Sequence, residues 1–296
     1  MENPIQTSFI LSPALRERVC EQLGLAQPLP VNLAGLQTVY RAWCSSVPFD
    51  NVRKMIALRT EPARPLPGGE AEDFFTHWLA DGAGGTCWPT SNALFTLLHS
   101  LGFAARRVAG SMHDLGIVNH GSVKVHVEGR NWLVDSSLLC GVPLPLEETI
   151  FANDDPVWAV EVEPTDGTYL IWFAPPNSPT YMRCRLLVDP ADAALYQTRY
   201  EVSRTQSPFN DRMHARRNHP GELRLLIGNT KYVKTAAGVT LQTLTRAEIC
   251  QSLHEDIGLS ETLIAQWVQS GSLEASFVPA SQSAPPRTDS RPPSQR

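Results

Sequence analysis

No apolar run in the sequence reaches the roughly 18 residues of a membrane-spanning helix. The first residues also lack the basic segment and the apolar stretch that together make a secretory signal. These two absences predict a protein that has no membrane partner. We expect it in the cytoplasm.

Closely spaced cysteines are missing as well. The cysteines are Cys20, Cys44, Cys87, Cys140, Cys184 and Cys250, and no two of them form a C-x-x-C pair. A zinc site usually shows such pairs, and a disulfide framework shows many cysteines in a short secreted chain. We therefore expect no bound metal and no disulfide framework, which agrees with a reducing compartment.

An excess of positive charge is also absent. Lys and Arg number 25 against 30 Asp and Glu, which gives a formal net charge of −5, and no basic stripe or internal repeat is present. Proteins that bind nucleic acid usually carry a basic patch, so we expect no nucleic-acid partner. A chain of 296 residues, 42% of them hydrophobic, is long enough for two or three compact units.

The features that are present begin with helical patterns. Ser12-Pro13 is typical of a helix start, with the serine as N-cap and the proline at the first position. Apolar stripes at helical spacing over 33–43 and 74–79 predict two more helices, and a fourth begins at Cys87. Residues 1–102 are thus predicted to form a small helical bundle.

Short segments rich in β-forming residues follow, and turn residues separate nearly all of them. The predicted strands are Phe103–Ala109, Ser122–Val127, Asn131–Ser136, Val157–Val162, Thr168–Ala174, Tyr181–Val188 and Tyr196–Val202. Such a meander predicts an antiparallel barrel or sandwich over residues 103–208.

The third predicted unit, residues 209–278, mixes strands and helices. Its predicted strands are Leu223–Gly228, Lys231–Thr235 and Val239–Leu244. Thr245 and Glu248 have the spacing of a capping box, and Ser260 can cap a last helix. Residues 279–296 contain hardly any apolar side chain, so they are predicted to be a disordered tail.

The segment Gly84-Gly85-Thr86-Cys87 carries the candidate nucleophile. Two glycines make a tight turn, and the apolar spacing after it, with Pro89 in the first turn, predicts a helix that begins at the cysteine. The N–H groups and dipole at a helix start favour an anion, and the thiolate is the nucleophilic form of cysteine. A buried core cysteine would give the same pattern.

A cysteine nucleophile needs a base, and the base needs a group that orients its ring. His113, His120 and His126 lie within one short stretch, and the strand next along the chain ends at Asp135. His113 also has an aspartate beside it, Asp114. The pattern alone does not choose among the three histidines.

Simple strand register argues against one of these pairs. A two-residue hairpin centred on Gly129-Arg130 would set Asp135 opposite Lys124. That position is four residues, or roughly 13 Å, from His120. We therefore expect no direct contact between His120 and Asp135 unless the strand bends, bulges or pairs otherwise.

Several motifs resemble one enzyme family. They are Val47-Pro48-Phe49-Asp50-Asn51, matching I/V-P-F-E/D-N; Gly84-Gly85-Thr86-Cys87, matching G-G-x-C; His120 through Asp135, matching H-x(14)-D; and two later landmarks, Ser207-Pro208-Phe209 and Leu244-Thr245 through Glu248. On these motifs, the chain resembles the arylamine N-acetyltransferases over nearly its whole length except the tail.

The resemblance implies a fold and a site. The fold would be α+β, with an N-terminal helical bundle, a central antiparallel β-barrel and a C-terminal α/β lid. Cys87 would be the nucleophile, His120 the base and Asp135 the orienting carboxylate. The enzyme would be an N-acyltransferase that carries an acyl group from a thioester, through an acyl-Cys87 intermediate, to a small-molecule amine. No permanently bound cofactor is implied, and acyl-coenzyme A (acyl-CoA) or an acyl-carrier thioester would be the co-substrate.

The chain also departs from the family pattern. Ala83 stands where the family usually has Arg, Pro89 where it has Glu or Gln, Ser91 where it has Asn, and Ser136-Ser137-Leu138-Leu139 where it has V/A-G-F-G. We expect Ala83 to open space at the site and the two leucines to offer apolar surface to a longer acyl group. A bulkier, carrier-bound acyl donor would then react faster than acetyl-CoA.

Alternatives remain open at this point. The departures are also compatible with drift in a lineage that keeps the same activity. An amide synthase that releases a carrier-bound polyketide or peptide chain would use the same three residues. A cysteine hydrolase would pass the acyl group to water, and a silent binding protein would use none of them.

Overall fold

The computed structural model describes residues 10–178 and 180–278. The predicted tail over 279–296 lies outside the described residues. The helices are α1 Pro13–Gln22, α2 Leu33–Ser46, α3 Val52–Thr60, α4 Ala71–Asp81, α5 Cys87–Ser100, α6 Ala193–Val202, α7 Arg246–Ser252, α8 Glu261–Gln269 and α9 Ser272–Ala275, and a π-helical turn spans Leu253–Ile257.

Two antiparallel sheets accompany these helices. The strands are β1 Phe49–Asp50, β2 Ala104–Met112, β3 His120–Val127, β4 Arg130–Val134, β5 Leu144–Pro145, β6 Phe151–Asn153, β7 Val160–Thr165, β8 Thr168–Phe173, β9 Met182–Val188, β10 His214–His219, β11 Glu222–Ile227, β12 Thr230–Thr235 and β13 Gly238–Thr243. The α+β fold class is confirmed.

Local capping signals decide where several helices begin. Ser12 accepts a hydrogen bond from Leu15 N at the start of α1, and Ser260 does the same for α8. Thr245 and Glu248 form the expected capping box of α7. Because these bonds join residues three apart in the chain, the sequence pattern is enough to predict them.

The larger sheet has the strand order β5-β4-β3-β2-β9-β8-β7-β6 and forms a nearly closed barrel.

One predicted strand, Tyr196–Val202, is wrong, because these residues belong to α6. Asp192 caps this helix by accepting from Leu195 N at 2.7 Å. Tyr196 and Tyr200, four residues apart, are buried on one helix face, where strand-favouring aromatic residues pack equally well.

The smaller sheet has the order β1-β10-β11-β12-β13. Its last three strands are the predicted ones, but β1 and β10 were not predicted. The sequence of β10 is His-Ala-Arg-Arg-Asn-His, which has no run of β-forming residues. Pairing on both sides nevertheless places it inside the sheet, because β1 and β11 flank it.

The Val-Pro-Phe-Asp-Asn motif connects the helical bundle to the C-terminal unit. Asn51 Nδ2 donates to Phe209 O and to Arg212 O, at 2.9 and 2.7 Å, and Asn51 Oδ1 accepts from His214 N at 2.8 Å. The rings of Phe49 and Phe209 meet edge to face, with centroids 5.2 Å apart. This motif, although it lies within the first predicted unit, pairs with the C-terminal sheet. The predicted domain boundaries at residues 102 and 208 stay predictions.

The helices carry no membrane span within 10–178 and 180–278. None of them is long and apolar enough to cross a bilayer.

Candidate active site

Cys87 is the first residue of α5 and follows a closely packed turn. A Cβ atom at Gly84 would overlap Pro48 O, and one at Gly85 would lie 2.9 Å from Pro89 Cγ. The turn also pairs with β1, because Asp50 N donates to Gly85 O at 3.2 Å. Both glycines are therefore needed for close approach, and they bring a cysteine that is 8% exposed to the helix start.

A buried carboxylate holds this turn in place. Asp50 Oδ2 accepts from Gly84 N at 2.7 Å, and Asp50 Oδ1 accepts from Val52 N at 3.0 Å. Burial raises the pKa of Asp50 to about 6, although the two N–H groups and Arg53 oppose the shift. The motif match revealed Asp50, but no sequence signal revealed its bond to the nucleophile turn.

His120 and Asp135 are in direct contact, with His120 Nε2 and Asp135 Oδ2 2.7 Å apart. The register that argued against this contact is wrong by two residues. The hairpin turn is Glu128-Gly129, with φ values of 53° and 74°, and Val127 pairs with Arg130. This turn begins one residue earlier than predicted, which shifts every pair in the ladder by two.

The corrected ladder ends at Val123 opposite Val134. Asp135, the next residue, therefore falls beside Ser122 rather than Lys124. Only two residues, or roughly 7 Å of strand, then separate it from His120. The two side chains span that distance without any bulge.

Burial and charge act in opposite directions on this pair. Burial disfavours imidazolium, but the charge of Asp135, the Cys184 sulfur and hydrogen bonds to Asp135 and Cys87 hold the pKa of His120 well above 6.5. Burial likewise opposes ionisation of Asp135, but His120 and the N–H groups of Leu138 and Ser137 keep its pKa below 3.8. The two shifts favour the charged form of each partner, and both side chains are nearly inaccessible to solvent.

The other two candidate histidines have different partners. His126 is exposed, and its Nδ1 lies 3.2 Å from Asn131 Oδ1. Asp114, the aspartate beside His113, forms an ion pair with Arg185 at 2.6 Å. Of the three histidines, the structure brings His120 into contact with Asp135. Cys87 lies close by, because its Sγ donates to the carbonyl of Asn119, the residue before His120, at 3.9 Å.

A buried group of hydroxyls joins the segments that carry these three residues. Ser136 Oγ lies 2.8 Å from both Thr90 Oγ1 and Ser91 Oγ, and Ser91 Oγ donates to Gly121 O at 2.7 Å. Thr90 and Ser91 are on the helix of Cys87, Gly121 follows His120, and Ser136 follows Asp135. Two departures from the family pattern, Ser91 and Ser136, therefore contact each other.

The other departures differ from what the sequence suggested. Ala83 opens no space, because it is 1% exposed and packs in the core of the C-terminal unit with Val52 and Met55. Leu139 is fully buried, and Leu138 lines a cavity of about 20 Å³ with room for about one water molecule. These positions therefore give no reason to expect a larger acyl pocket.

The remaining cysteines are held as thiols. Burial raises the pKa of all five, Cys20, Cys44, Cys140, Cys184 and Cys250, and that of Cys184 reaches about 12. Cys184 lies near His120, because each of the two side chains affects the pKa of the other. Protonated thiols are poor nucleophiles, so none of these five cysteines is a better candidate than Cys87 by its position at a helix start.

The first turn of α5 has backbone N–H groups that the helix does not use. The first intrahelical bond of α5 runs from Thr90 N to Thr86 O at 3.2 Å, and Pro89 has no N–H. The N–H groups of Cys87 and Trp88 thus remain outside the helical ladder, as the first N–H groups of a helix do. They are the donors that a negative oxygen at this helix start would meet.

A cysteine, a histidine and an aspartate held close together beside a nearly closed barrel have the residue types that nucleophilic catalysis at a thiol requires. The N-acetyltransferase family model matches residues 32–264. The chain therefore belongs to this family, that of the arylamine N-acetyltransferases, and is an acyltransferase. No curated protein matches the sequence.

Solved arylamine N-acetyltransferases share the fold at low sequence identity. The Mycobacterium marinum enzyme superposes with a TM-score of 0.75 at 16% identity, over 88% of this chain and 97% of that one. The Salmonella typhimurium enzyme gives 0.72 at 17%, over 88% and 99%. The Mycobacterium abscessus enzyme gives 0.70 at 18%, over 86% and 93%. The M. marinum enzyme has also been solved in complex with CoA.

Proposed function

We propose that the protein transfers an acyl group from a CoA thioester to a small-molecule amine through an acyl-Cys87 intermediate. The observation that carries the proposal is the contact of His120 with Asp135, together with Cys87 Sγ on the carbonyl of the residue before His120. A carboxylate can only accept, so the Nε2–H of His120 donates to Asp135, which leaves the other ring nitrogen, Nδ1, as the atom that would exchange a proton with the thiol. A base oriented in this way is what a cysteine nucleophile requires.

In the first half of the reaction, His120 holds the proton of Cys87 as imidazolium. The thiolate attacks the thioester carbonyl and a carbon–sulfur bond forms. The tetrahedral intermediate then expels the CoA sulfur, which takes the proton from His120. The acyl group remains on Cys87, and CoA leaves as a thiol.

In the second half, neutral His120 accepts a proton from the attacking amine. The amine nitrogen bonds to the acyl carbon, and the Cys87 sulfur leaves as thiolate beside the newly formed imidazolium. The product is an amide. In both halves, the N–H groups of Cys87 and Trp88 stabilise the negative oxygen of the intermediate.

CoA is the proposed acyl carrier for two reasons. A relative with the same fold binds it. The residues that suggested a carrier-bound donor, Ala83, Leu138 and Leu139, are buried and do not shape a larger pocket. The amine acceptor is proposed to be a small aromatic amine, as the family name implies.

Intact-mass spectrometry tests this proposal directly. The protein is mixed with acetyl-CoA, hexanoyl-CoA and the matching carrier-mimic thioesters, and adducts are followed before and after an arylamine is added. We expect one acyl group per chain, lost when the amine is added. Cys87→Ala should show no adduct, whereas Cys184→Ala, which removes a nearby buried thiol, should still be acylated.

Other results would change the assignment. An adduct that persists in Cys87→Ala would place the nucleophile elsewhere. Loss of the adduct without amine would make the protein a hydrolase, and acylation from the carrier mimic alone would make it an amide synthase.

A further inference from the structure

The segment after Asp135 decides how that carboxylate is presented. Asp135 Oδ1 accepts from Ser137 N and Leu138 N, both at 2.9 Å, which leaves Oδ2 for His120. Leu139 has a φ of 51°, in the left-handed region where a leucine is strained. The family pattern has glycine at this position. Something must therefore hold the loop in its shape.

Two side chains of β10 donate hydrogen bonds to the loop that follows Asp135. Arg216 Nη2 donates to Leu138 O, and Asn218 Nδ2 donates to Leu139 O, each at 2.6 Å. Arg216 and Asn218 are two residues apart on β10, so their side chains lie on the same face of the sheet. Each binds the carbonyl of one residue of the strained loop.

The position of Arg216 is costly for a cation. Burial lowers the pKa of Arg216 to about 10. Within the described part of the chain, no carboxylate lies at ion-pair distance from its guanidinium. Burying a charge is costly unless the charge is paired or hydrogen-bonded. Because Arg216 binds the carbonyl of Leu138, we infer that holding this carbonyl is the role of its side chain.

We propose that Arg216 and Asn218 are positioning residues for the candidate acyl-transfer site, so that the C-terminal sheet holds the Asp135 loop in the shape that aims its carboxylate at His120. The proposal rests on the proposed function only in that His120 and Asp135 take part in it. The connection runs through one residue. Arg216 binds the carbonyl of Leu138, and the N–H of Leu138 binds Asp135.

The test follows the imidazole rather than the reaction. The pKa of His120 is measured by NMR titration in the wild type and in Arg216→Met, Arg216→Lys and Asn218→Ala, with His120→Gln to assign the signal. The matched control is Arg217→Met. Arg217 is the next residue on β10 and also donates to a backbone carbonyl, Ile257 O at 2.9 Å, but it does not touch the Asp135 loop.

The two possible effects of Arg216 on His120 have opposite signs. Arg216 is a cation, so losing its charge alone would raise the pKa of His120. Losing the position of Asp135 would lower it, because the carboxylate that stabilises the imidazolium would turn away. We expect a fall of about one pH unit in Arg216→Met and Asn218→Ala, and no change in Arg217→Met. Arg216→Lys should restore part of the shift.

Activity is measured on the same variants. Loss of a group that orients a functional side chain typically costs about 10- to 100-fold, and we expect that loss in kcat with little change in KM. A rise in the pKa of His120 in Arg216→Met, or an equal fall in Arg217→Met, would overturn the proposal. Should Arg216→Met not fold, Asn218→Ala and Arg216→Lys still decide the matter.

Failure of the proposed function would look different. The NMR titration needs no acyl donor, so it reports the positioning role even if no acyl-enzyme forms. Conversely, normal acylation with an unchanged His120 titration in Asn218→Ala and Arg216→Met would refute the positioning role alone.

Discussion

Asp50 and Asp135 are both buried carboxylates that accept two backbone N–H groups, yet their pKa values are shifted in opposite directions. Asp135 is 2% exposed, and His120 keeps its pKa low. Asp50 is 1% exposed, and burial raises its pKa to about 6. The difference lies in the partner, since Asp135 touches an imidazolium and Asp50 has only N–H groups in direct contact.

The comparison teaches that N–H groups alone do not repay the cost of burying a carboxylate, whereas one adjacent cation does. Ala83 is relevant here because it precedes Gly84, to which Asp50 is bound. The family usually has a cation at position 83. The cation beside Asp135 therefore favours its ionised form, whereas Asp50 is a structural tie whose charge depends on pH.

The first prediction concerns Asp135, the carboxylate that contacts His120. Asp135→Asn removes the charge that stabilises imidazolium and leaves the ring of His120 poorly oriented. Loss of the equivalent group in a triad lowers kcat by about 10⁴-fold, and we expect a loss of that order. Steady-state kinetics with a thioester and an amine measure it.

The matched variant for this measurement is Asp50→Asn. It weakens hydrogen bonds to a charged group, which should lower the free energy of unfolding by about 1.5–3 kcal/mol but leave His120 and Asp135 in contact, so activity should fall much less than in Asp135→Asn. Equal losses in the two variants would mean that Asp135 acts on the fold and not on His120.

The second prediction concerns the pH dependence of the free energy of unfolding. Because the folded-state pKa of Asp50 is raised from 3.8 to about 6, the folded state binds the proton more tightly than the unfolded state between these values. Stability due to Asp50 is thus highest below pH 3.8 and falls until about pH 6. Urea unfolding of the wild type relative to Asp50→Asn should show a fall of at most about 3 kcal/mol.

Asp135 provides the contrast in the same experiment. Its pKa is lowered, so its contribution is present above pH 3.8 and is lost only at more acidic pH. His120 has a raised pKa, so its contribution is complete below about pH 6.5 and is lost as pH rises through the raised value. Between pH 4.5 and 6, the contributions of Asp135 and His120 to the wild type should therefore be constant, so of these three groups Asp50 is the one that makes the stability of the wild type fall there. A flat difference curve for Asp50→Asn would contradict the pKa assigned to Asp50.

How far the sequence could predict this molecule depends on the distance that each interaction spans along the chain. Ser12, Thr245 and the helix that begins at Cys87 follow from signals within four residues. The hairpin register failed for a small local reason, because Glu128, a residue other than glycine, takes the first left-handed position of the turn. A shift of one residue in the turn then moved Asp135 by two positions along β3.

The parts that the sequence could not predict are tertiary. Arg216 and Asn218 act on a loop 78 and 79 residues earlier in the chain, and a polar strand such as β10 has no pattern that reveals its neighbours. Leu139 adopts a conformation that its side chain disfavours, and only its contacts with β10 and the core account for it. The candidate triad itself came from the family resemblance, since spacing left three histidines open.

The last prediction, with the smallest expected effect, concerns the contribution of the buried group of hydroxyls to the free energy of unfolding. Thr90, Ser91 and Ser136 supply three hydroxyl protons for four short contacts, two between hydroxyls and two to the carbonyls of Thr86 and Gly121. One contact therefore always lacks a proton. In Ser136→Ala, Thr90 and Ser91 keep their carbonyl acceptors, so the free energy of unfolding should fall by less than about 1 kcal/mol. In Ser91→Ala, Gly121 O loses its hydroxyl donor, which should cost about 1–3 kcal/mol. Urea unfolding of both variants at pH 7 measures the difference, and a larger loss in Ser136→Ala would show that Ser136 is the essential donor of the group.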